Sequence, residues 1–563
     1  MTPCRISRCS SPAAVLALVL VLAMGLATGL SACGGALGAT SRASPRPSET
    51  PKAGGTLTVA YLAAPQSLDP ALAQNATERA VAHAVYQGLL RYVPRPGAEG
   101  TVLEPCLAAE LPTTANQGIS ADGGTYTFTL RQGVRFQPPL NRELTASDVK
   151  YSFERMLDTA PAETRALYEG VVGTAPFLSG RDDAISGVEV VDDLTIRFLL
   201  VRPDPSFLDV LALEPCGVVP REWVEEQGTE FGSRPLGTGP FVFEKWVPGE
   251  RIKLARNPSY WEPGKPSVDA VSYELALTPS DAVAKLQSGA IDALGFGLPP
   301  DDLPAFAAEP AGQECVSSRS LMAGTYLFLN TEMEPFDDVK VRRAVSWAID
   351  RERLAGLRSG GAQPLWQYYP PDLPGFESGK VFYGHSPAKA KALLREAGYP
   401  HGFKTVLSTG PDALAPALAR SVQADLAAIG VRTTLKTLSR TRYERQRATP
   451  MTLEMGGSAW QASLPDPGEW VQSLCSRESA RRGGSNPSFW WSAEIESAQA
   501  QAEATADPQA RLRMYAEIER TIAHAAPYVP LYAPVQTTLC SRQVGGFYLH
   551  PVYLLDPANY WKQ

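Results

Sequence analysis

The chain has 563 residues, of which 44% are hydrophobic and 20% are charged, and its formal net charge is −7. This composition is typical of a folded globular protein, and the length exceeds that of one ordinary core, so two or more lobes are expected. The negative charge argues against nucleic acid or an anionic surface as the main partner.

The N-terminus has the pattern of a secretory signal. Arg5 and Arg8 precede an apolar run over 13–30, and the small residues Ser31 and Ala32 come directly before a cysteine. A permanent transmembrane helix is the alternative, since a run of this length could barely span a bilayer. The small residues before the cysteine favour cleavage over retention.

The tetrad "LSAC" at the end of this run resembles the lipobox of bacterial lipoproteins. The resemblance implies that residues 1–32 are a lipoprotein signal peptide and that Cys33 becomes a lipid-bearing N-terminus, which anchors the chain to a membrane. Residues 33–53 are rich in small residues, Ser and Pro, which predicts a flexible tether. Cleavage removes two arginines and no acid, so the mature net charge becomes −7 − 2 = −9.

The body of the chain alternates between strand and helix patterns. The alternating segment 125–131 predicts a half-buried strand, and Thr145 can cap the helix that follows it. The segments 403–409, 413–429 and 431–438 predict a strand-helix-strand unit. Such units favour a parallel sheet, with ligands bound beyond the strand ends.

The stretch "PFDDVKVRRAVSWAIDRE" is rich in charged residues. Its acids could belong to a catalytic site, or they could cap the ends of a helix. Asp337 or Asp338 lies where a helix would begin, and an aspartate there accepts bonds from free backbone N–H groups. Asp350 lies at the far end and can cap the next turn, while Arg342 and Arg343 can stay solvated or pair locally. Capping explains the acids without further assumptions, so we interpret the cluster as structural.

The same stretch lies in a longer segment that resembles the signature region of bacterial extracellular solute-binding proteins of family 5, the group of oligopeptide- and dipeptide-binding components of ABC importers. Further segments match the family in order along nearly all of the mature chain. They are "GGTLTVAYLAAPQSLDPALA" (54–73), "YQGLLRY" (86–92), "ADGGTYTFTLRQGVRF" (121–136), "LTASDVKYSFERM" (144–156), "GTGPFVFEKWVPGERIKLARNPSYW" (237–261), "YLFLNTEMEPFDDVKVRRAVSWAIDRERLA" (326–355) and "AHAAPYVPLY" (523–532).

The resemblance implies an α/β, two-lobed periplasmic-binding-protein-like fold of class II, the large peptide-binding type. Lobe 1 is expected over 54–275, with an extra subdomain at about 100–185. Lobe 2 is expected over 276–525, and 526–563 is expected to return to lobe 1.

The function implied by the resemblance is capture of a peptide or peptide-like solute between the lobes and its delivery to an ABC transporter permease, by a lipid-anchored, extracytoplasmic or periplasmic monomer without a cofactor. A ligand that contacts both lobes would favour the closed form. A lipid-anchored sensor or interaction protein with the same fold is the alternative, and the solute could instead be an oligosaccharide or a metal chelate.

No motif of an enzyme or a metal site stands out. None of the five histidines lies in H-E-x-x-H, and the chain contains neither a G-x-S-x-G elbow nor C-x-x-C. The family is one of binding proteins, so no enzyme activity is expected. Five cysteines remain after Cys33, an odd number that leaves their pairing undetermined.

Ligand pockets of proteins are mostly apolar and aromatic, with a few polar groups placed among them. Trp460 is the leading candidate because it comes just before a short loop where family members place ligand-contacting residues. The full set of candidate ligand-contacting residues is Trp460, Ser463, Gln461, Trp366, Tyr326 and Tyr61.

The sequence departs from the dipeptide carriers at both ends of their ligand. Aligning Asp466-Pro467 with the family's Asp-Pro pair puts Ser463 where an aspartate commonly grips the peptide's α-ammonium, and Asp466 itself is interpreted as part of a turn. The loop "TGPDAL" (409–414) lacks the arginine that often holds the carboxylate. We therefore expect that a zwitterionic dipeptide is not anchored here in the standard way.

Overall fold

The structure is a computed structural model that describes residues 51–300, residue 302, and residues 314–410 and 416–563. The predictions for the signal peptide, for Cys33 and for most of the tether lie outside these residues, as do Pro411 to Leu414 of the loop without an arginine.

Most strands of the described chain belong to one large mixed sheet, whose order is β15-β14-β16-β12-β17-β10-β1-β9-β8-β7, with β11 and β13 also paired to β17. A separate three-stranded sheet has the order β4-β6-β5. The strands are β1 Thr56–Ala60, β2 Leu90–Tyr92, β3 Leu103–Pro105, β4 Thr125–Thr129, β5 Val188–Asp192, β6 Thr195–Leu199, β7 Phe241–Val247, β8 Arg251–Arg256, β9 Ala270–Glu274, β10 Ala293–Leu294, β11 Glu314–Ser320, β12 Ala323–Leu329, β13 Ala362–Pro364, β14 Lys404–Thr409, β15 Arg432–Thr437, β16 Met455–Gln461, β17 Tyr528–Ser541, β18 Val544–Gly545 and β19 Trp561–Lys562.

Strand β17 lies in the middle of the large sheet and pairs with strands from both of its halves. Its first part pairs with β12 and β13, and its second part, from Val535 onward, pairs with β11 and β10. Strand β10 in turn runs parallel to β1. The segment directly after residue 275 therefore continues the sheet of β1, and the exact lobe boundaries at 275 and 525 stay predictions.

The helices pack on the faces of these sheets, and most of the longer ones begin at a side-chain cap. They are α1 Ala76–Val85, α2 Ala146–Thr159, α3 Ala162–Ala166, α4 Thr174–Leu178, α5 Phe207–Val210, α6 Arg221–Gln227, α7 Pro279–Gln287, α8 Val339–Ala348, α9 Arg351–Gly356, α10 Pro387–Glu396, α11 Pro416–Ala428, α12 Arg440–Arg447, α13 Pro467–Cys475, α14 Ala493–Glu503 and α15 Pro508–Ala525.

The predicted caps of the charge-dense stretch are confirmed. The Asp338 carboxylate accepts a hydrogen bond from the backbone N–H of Lys340 at 2.7 Å and begins α8. Asp350 accepts from the N–H of Arg353 at 3.0 Å and begins α9. Likewise, Thr145 and its partner three residues later form the capping box of α2. These acids satisfy helix termini, which is a structural role.

Strand β12 shows why the middle of the large sheet is stable. Its side chains alternate between two clusters of buried residues: Leu327 and Leu329 pack against α8, α10 and α11, while Tyr326 and Phe328 pack against α13 and α15. All seven residues of β12 are buried. A strand that is buried on both faces has a nearly continuous run of apolar residues in its sequence, and β12 has such a run.

His550 lies fully buried beside the C-terminal segment, with its tautomer determined by its neighbours. Its Nδ1 accepts the N–H groups of Val552 and Tyr553 at 3.0 and 3.1 Å, so the proton is on Nε2, which donates to the carbonyl of Val93 at 3.0 Å. Burial lowers the pKa of His550 to about 4, because a charged ring would lose its hydration.

The free energy of unfolding is therefore expected to fall as the pH is lowered from 6.5 to 4. Between these values the unfolded chain binds a proton at residue 550 that the folded chain excludes, so the stability from neutral His550 is fully present above pH 6.5 and is lost as the pH falls. Urea denaturation at pH 7 and pH 4.5 is expected to show a drop about 2.5 kcal/mol larger in the wild type than in H550N.

The matched control for this measurement is H401N, because His401 is exposed. This variant is expected to keep the wild-type dependence on pH. An H550N protein whose stability changes with pH as much as that of the wild type would contradict the assignment of the effect to this ring.

Candidate functional site

The candidate site is built around the end of β16 and the loop 462–466 that connects it to α13. Strand β16 pairs antiparallel with β12, with Gln461 opposite Ala323 and Trp460 opposite Gly324. The Trp460 side chain is 9% exposed and packs inward, whereas Gln461 is exposed. The last two residues of the strand, next to the loop, are therefore an aromatic and an amide side chain.

A carboxylate that the sequence analysis missed holds this loop. Glu469, in the first turn of α13, accepts the backbone N–H of Ser463 at 2.9 Å and that of Leu464 at 3.1 Å. Burial raises the pKa of Glu469, and the N–H groups of Leu464 and Ser463 that donate to it act in the opposite direction. Ser463 is exposed, so a half-buried carboxylate lies directly behind the position predicted to contact ligand.

The side chain of Leu464 contacts residues of the other half of the molecule. Its side chain is 6% exposed and lies in the same cluster of buried apolar residues as Phe207, Val210 and Leu211, which belong to the predicted lobe 1. Burial of a leucine contributes about 2 kcal/mol. The loop therefore connects β16 with the segment around α5.

Asp466 has the structural role that its Asp-Pro sequence predicts. One carboxylate oxygen accepts the N–H of Gly468 at 2.7 Å and begins α13, and the other pairs with Arg511 of α15 at 2.5 Å. Both side chains of the ion pair are nearly buried. Because both oxygens have partners within the protein, Asp466 orients the loop.

A second acid approaches the same place from the predicted lobe 1. The half-buried carboxyl of Asp209 accepts a hydrogen bond from the Tyr92 hydroxyl at 3.2 Å. Burial raises the pKa of Asp209 and so does the nearby Asp466, while Arg511 lowers it. Acidic groups from both halves of the molecule thus lie close to Arg511.

Comparisons with known proteins bear on what such an arrangement does. A family model described as bacterial extracellular solute-binding proteins, family 5 Middle, matches residues 102–481. The chain is 30% identical over 517 residues to di/tripeptide-binding protein 2 of Pseudomonas aeruginosa, over 89% of this chain and 94% of that protein.

The chain is a bacterial extracellular solute-binding protein of family 5.

Two further similarities agree with this membership. The chain is 30% identical over 494 residues to the glutathione-binding protein GsiB of Salmonella typhimurium, over 86% of this chain and 90% of that protein. The solved structure of HbpA2 from Haemophilus parasuis aligns with a TM-score of 0.81 and 25% identity, over 90% of this chain and 100% of that chain.

The family and the structural neighbours confirm the predicted α/β, two-lobed fold of class II. They also confirm the prediction that the chain belongs to a class of binding proteins of ABC transporters, and not to a class of enzymes. Members of this family are extracytoplasmic.

The remaining candidate residues lie in different surroundings. Tyr326 is fully buried, with its hydroxyl donating to the carbonyl of Tyr368 at 2.7 Å and accepting from Trp470 Nε1 at 3.0 Å. Tyr61 is 2% exposed and packs edge-to-face on Tyr273, with ring centroids 5.5 Å apart. These two tyrosines therefore line core clusters, and their contact with ligand stays a prediction.

Trp366 is half-buried, and the guanidinium of Arg351 lies over its ring at 5.4 Å from the centroid. The structure thus brings together Trp460, Gln461 and Ser463 at one strand end and places Trp366 elsewhere in the same half. Glu469 escaped the sequence analysis because six positions separate it from Ser463, and only the turn at Asp466 folds it back.

Neither a metal-binding cluster nor a membrane-spanning helix is found among the described residues. They include no group of three or more His, Cys, Asp or Glu side chains placed to hold a metal ion. Within the same part of the chain, no helix has the length and apolarity needed to cross a bilayer.

Removing Arg511 is expected to destabilise the fold strongly. In R511M the buried carboxylate of Asp466 loses its ion-pair partner, so the free energy of unfolding is expected to fall by about 3 kcal/mol. The double variant D466N/R511M is expected to lose less than the sum of the two single losses. Urea denaturation of all three variants measures this.

The control is R221M, which removes an arginine of the exposed ion pair between Arg221 and Glu225. Because solvent screens that pair, R221M is expected to leave the unfolding curve almost unchanged. Equal effects of R511M and R221M would show that the Asp466 pair is not important for stability.

Proposed function

We propose that this protein captures a peptide or peptide-like solute between its two lobes and delivers it to the permease of an ABC importer. The observation that carries the proposal is the loop after β16, where exposed Gln461 and Ser463 stand beside Leu464, which reaches the opposite half. A solute bound there would contact both halves and favour the closed form.

Two relatives support this class of solute, since one is named for di- and tripeptides and another for glutathione. We propose ligand contacts from Trp460, Gln461, Ser463 and Trp366, which lie at or near the loop after β16 or on the surface of the same half.

The loop presents a hydroxyl where a carboxylate commonly grips the α-ammonium. Both oxygens of Glu469 accept backbone N–H groups of the loop, so this acid orients Ser463 and does not project toward a ligand. We therefore propose that the solute is bound through its backbone amides and that a free α-ammonium adds little to its affinity.

Calorimetry with matched solutes tests this proposal. The panel contains a dipeptide, a tripeptide, glutathione, the N-acetylated form of each, and maltotriose as a non-peptide solute. We expect submicromolar binding of at least one peptide-like solute, with affinity kept within a few-fold on acetylation. Binding that is abolished by acetylation, or that is found for maltotriose alone, would overturn the proposal.

The Glu469→Gln variant separates positioning from direct contact. Loss of hydrogen bonds to a charged acceptor costs about 1.5 kcal/mol, so the affinity is expected to fall about tenfold for every bound solute alike. The control is E478Q, since Glu478 is exposed on the following loop. A loss in E469Q confined to solutes with a free ammonium would show that Glu469 contacts the ligand.

We further propose that a lipid on Cys33 holds the mature protein at the outer face of the cytoplasmic membrane or in the periplasm, as a monomer. Cells fed labelled palmitate are expected to label the wild-type chain and not C33S, and C33S is expected in the soluble fraction. A C106S chain serves as the control and is expected to be labelled. Equal labelling of C33S and wild type would contradict the anchor.

A further inference from the structure

Basic side chains are concentrated at the outer edge of the large sheet, although the chain as a whole is acidic. Strand β15 is the last strand in the sheet order, next to β14, and α12 follows it directly. In the sequences of β14, β15 and α12, all of which the structure describes, seven residues are basic and Glu444 is the one acid. Net charge describes a whole surface, so a local region of the opposite sign can still select its own partner.

The alternation of side chains along β15 shows which way its basic residues face. Leu435 packs against the buried cluster that contains residues of α11, so the odd-numbered positions of the strand face that helix. Successive side chains of a strand point to opposite sides, so Arg432 and Lys436 lie on the other side of the sheet, where both are exposed. Lys404 of β14 is exposed as well, and it is the partner of Arg432 in the parallel register of the two strands.

Helix α12 adds positive charge on the same side of the sheet. Its Tyr443 is 1% exposed, belongs to the same cluster as Phe328, and donates a hydrogen bond to the carbonyl of Gly457 at 2.5 Å. The helix therefore packs over β16 on the side of the sheet opposite α11. Together with its exposed arginines, the strand residues form what we call the basic face, which consists of Lys404, Arg432, Lys436, Arg440, Arg442 and Arg445.

Two acids near the basic face are occupied within the protein. The Glu444 carboxylate pairs with Arg447 of its own helix. The Glu454 carboxylate accepts the hydroxyl of Thr405 at 2.6 Å and the N–H of Val406 at 3.1 Å. These acids therefore do not neutralise the charge of the basic face, which favours an anionic partner.

An exposed apolar side chain follows the same helix. Met451 is 65% exposed and lies in the loop between α12 and β16. Thr452 of this loop donates its hydroxyl to the carbonyl of Gln446 at 2.5 Å, which holds the loop against the end of α12. Cations beside an exposed apolar side chain are typical of surfaces that lie at a bilayer, because the cations meet anionic headgroups while the apolar group enters the acyl boundary.

We propose that the basic face rests on the anionic phospholipid headgroups of the membrane to which the chain is anchored. Each Lys or Arg near a negatively charged bilayer adds to the attraction. The basic face extends over a strand edge and a helix, so it matches a plane of negative charges better than one small anion.

The tether is short enough to keep the basic face close to a bilayer. Residues 33–50 lie between the lipid proposed for Cys33 and the described chain, and a fully extended segment of that length reaches at most about 60 Å. At the high effective concentration that such a tether gives, weak contacts suffice. The tether enters the predicted lobe 1 at β1, and the basic face belongs to the predicted lobe 2, so both lobes would be held at the membrane.

Sedimentation with lipid vesicles tests the proposal independently of the lipid anchor. The protein consists of residues 34–563, which lack the signal and Cys33 and contain the whole compact unit of the structure. At low salt we expect it to sediment with vesicles of equal amounts of phosphatidylcholine and phosphatidylglycerol, and to stay in solution with phosphatidylcholine alone. At about 1 M salt, where the Debye length is about 3 Å, we expect its release.

Two results of this measurement would overturn the proposal. Equal binding to both kinds of vesicle would show that anionic headgroups are not recognised. No binding to the mixed vesicles at low salt would leave an acidic protein surface, and not a bilayer, as the partner of the basic face.

The variant K436E/R442E/R445E locates the contact. Each reversal replaces an attraction by a repulsion, so the binding constant for the mixed vesicles is expected to fall about tenfold or more. Wild-type binding by this variant would overturn the proposal.

The matched control is K391E/R395E/R420E. It changes the net charge by the same amount through exposed residues of α10 and α11, which lie on the other side of the same sheet. This variant is expected to bind the mixed vesicles nearly as well as the wild type. Equal losses in the two variants would show that total charge, and not the basic face, drives binding.

Both variants are expected to keep the Tm and the solute affinity of the wild type, because none of the altered residues belongs to the loop after β16. The two proposals therefore fail separately. Vesicle binding without binding of any peptide-like solute would contradict the proposed function alone, and solute binding without vesicle binding would contradict the basic face alone.

Discussion

The structure depends on one strand, β17, whose backbone hydrogen bonds are shared between the two ends of the large sheet. Its 14 residues pair with β12 and β13 in the first part and with β11 and β10 in the second. Buried N–H and C=O groups must find partners, and a strand with neighbours on both sides satisfies them. Because the same strand serves both halves, a change in the angle between them would bend this ladder.

Buried arginines strengthen that arrangement. Arg351 is 1% exposed and donates to the carbonyl of Pro530 in β17 at 2.7 Å and to the carbonyl of Tyr383 at 3.0 Å. Arg342 is 5% exposed and donates to the carbonyl of Ala525, just before the same strand, at 2.8 Å. Burial lowers the pKa of both to about 10, yet both stay charged at neutral pH. Several hydrogen bonds compensate for the lost hydration.

In the candidate site, too, buried charged groups are satisfied by hydrogen bonds within the protein. Asp466 ends one strand-to-helix connection by binding Gly468 and Arg511, and Glu469 binds the two N–H groups of the loop before it. A loop held at both ends by charged acceptors loses little further freedom when a ligand arrives, which favours tight binding. Gln461 and Ser463 face solvent there, and in the proposed site they would determine which groups a solute meets.

The fold class and the local capping contacts of this protein could be predicted from its sequence. The ordered family segments implied the two-lobed fold, and the helix caps at Asp338, Asp350 and Thr145 were predictable because a cap is a contact over two or three residues. The interpretation of Asp466 as a turn residue was local in the same way. The tertiary structure alone decided that Arg342 is buried and that Glu469 faces Ser463. Each of these depends on a turn or on strand pairing that brings distant segments together, and neither register nor burial is encoded in the few residues around a position.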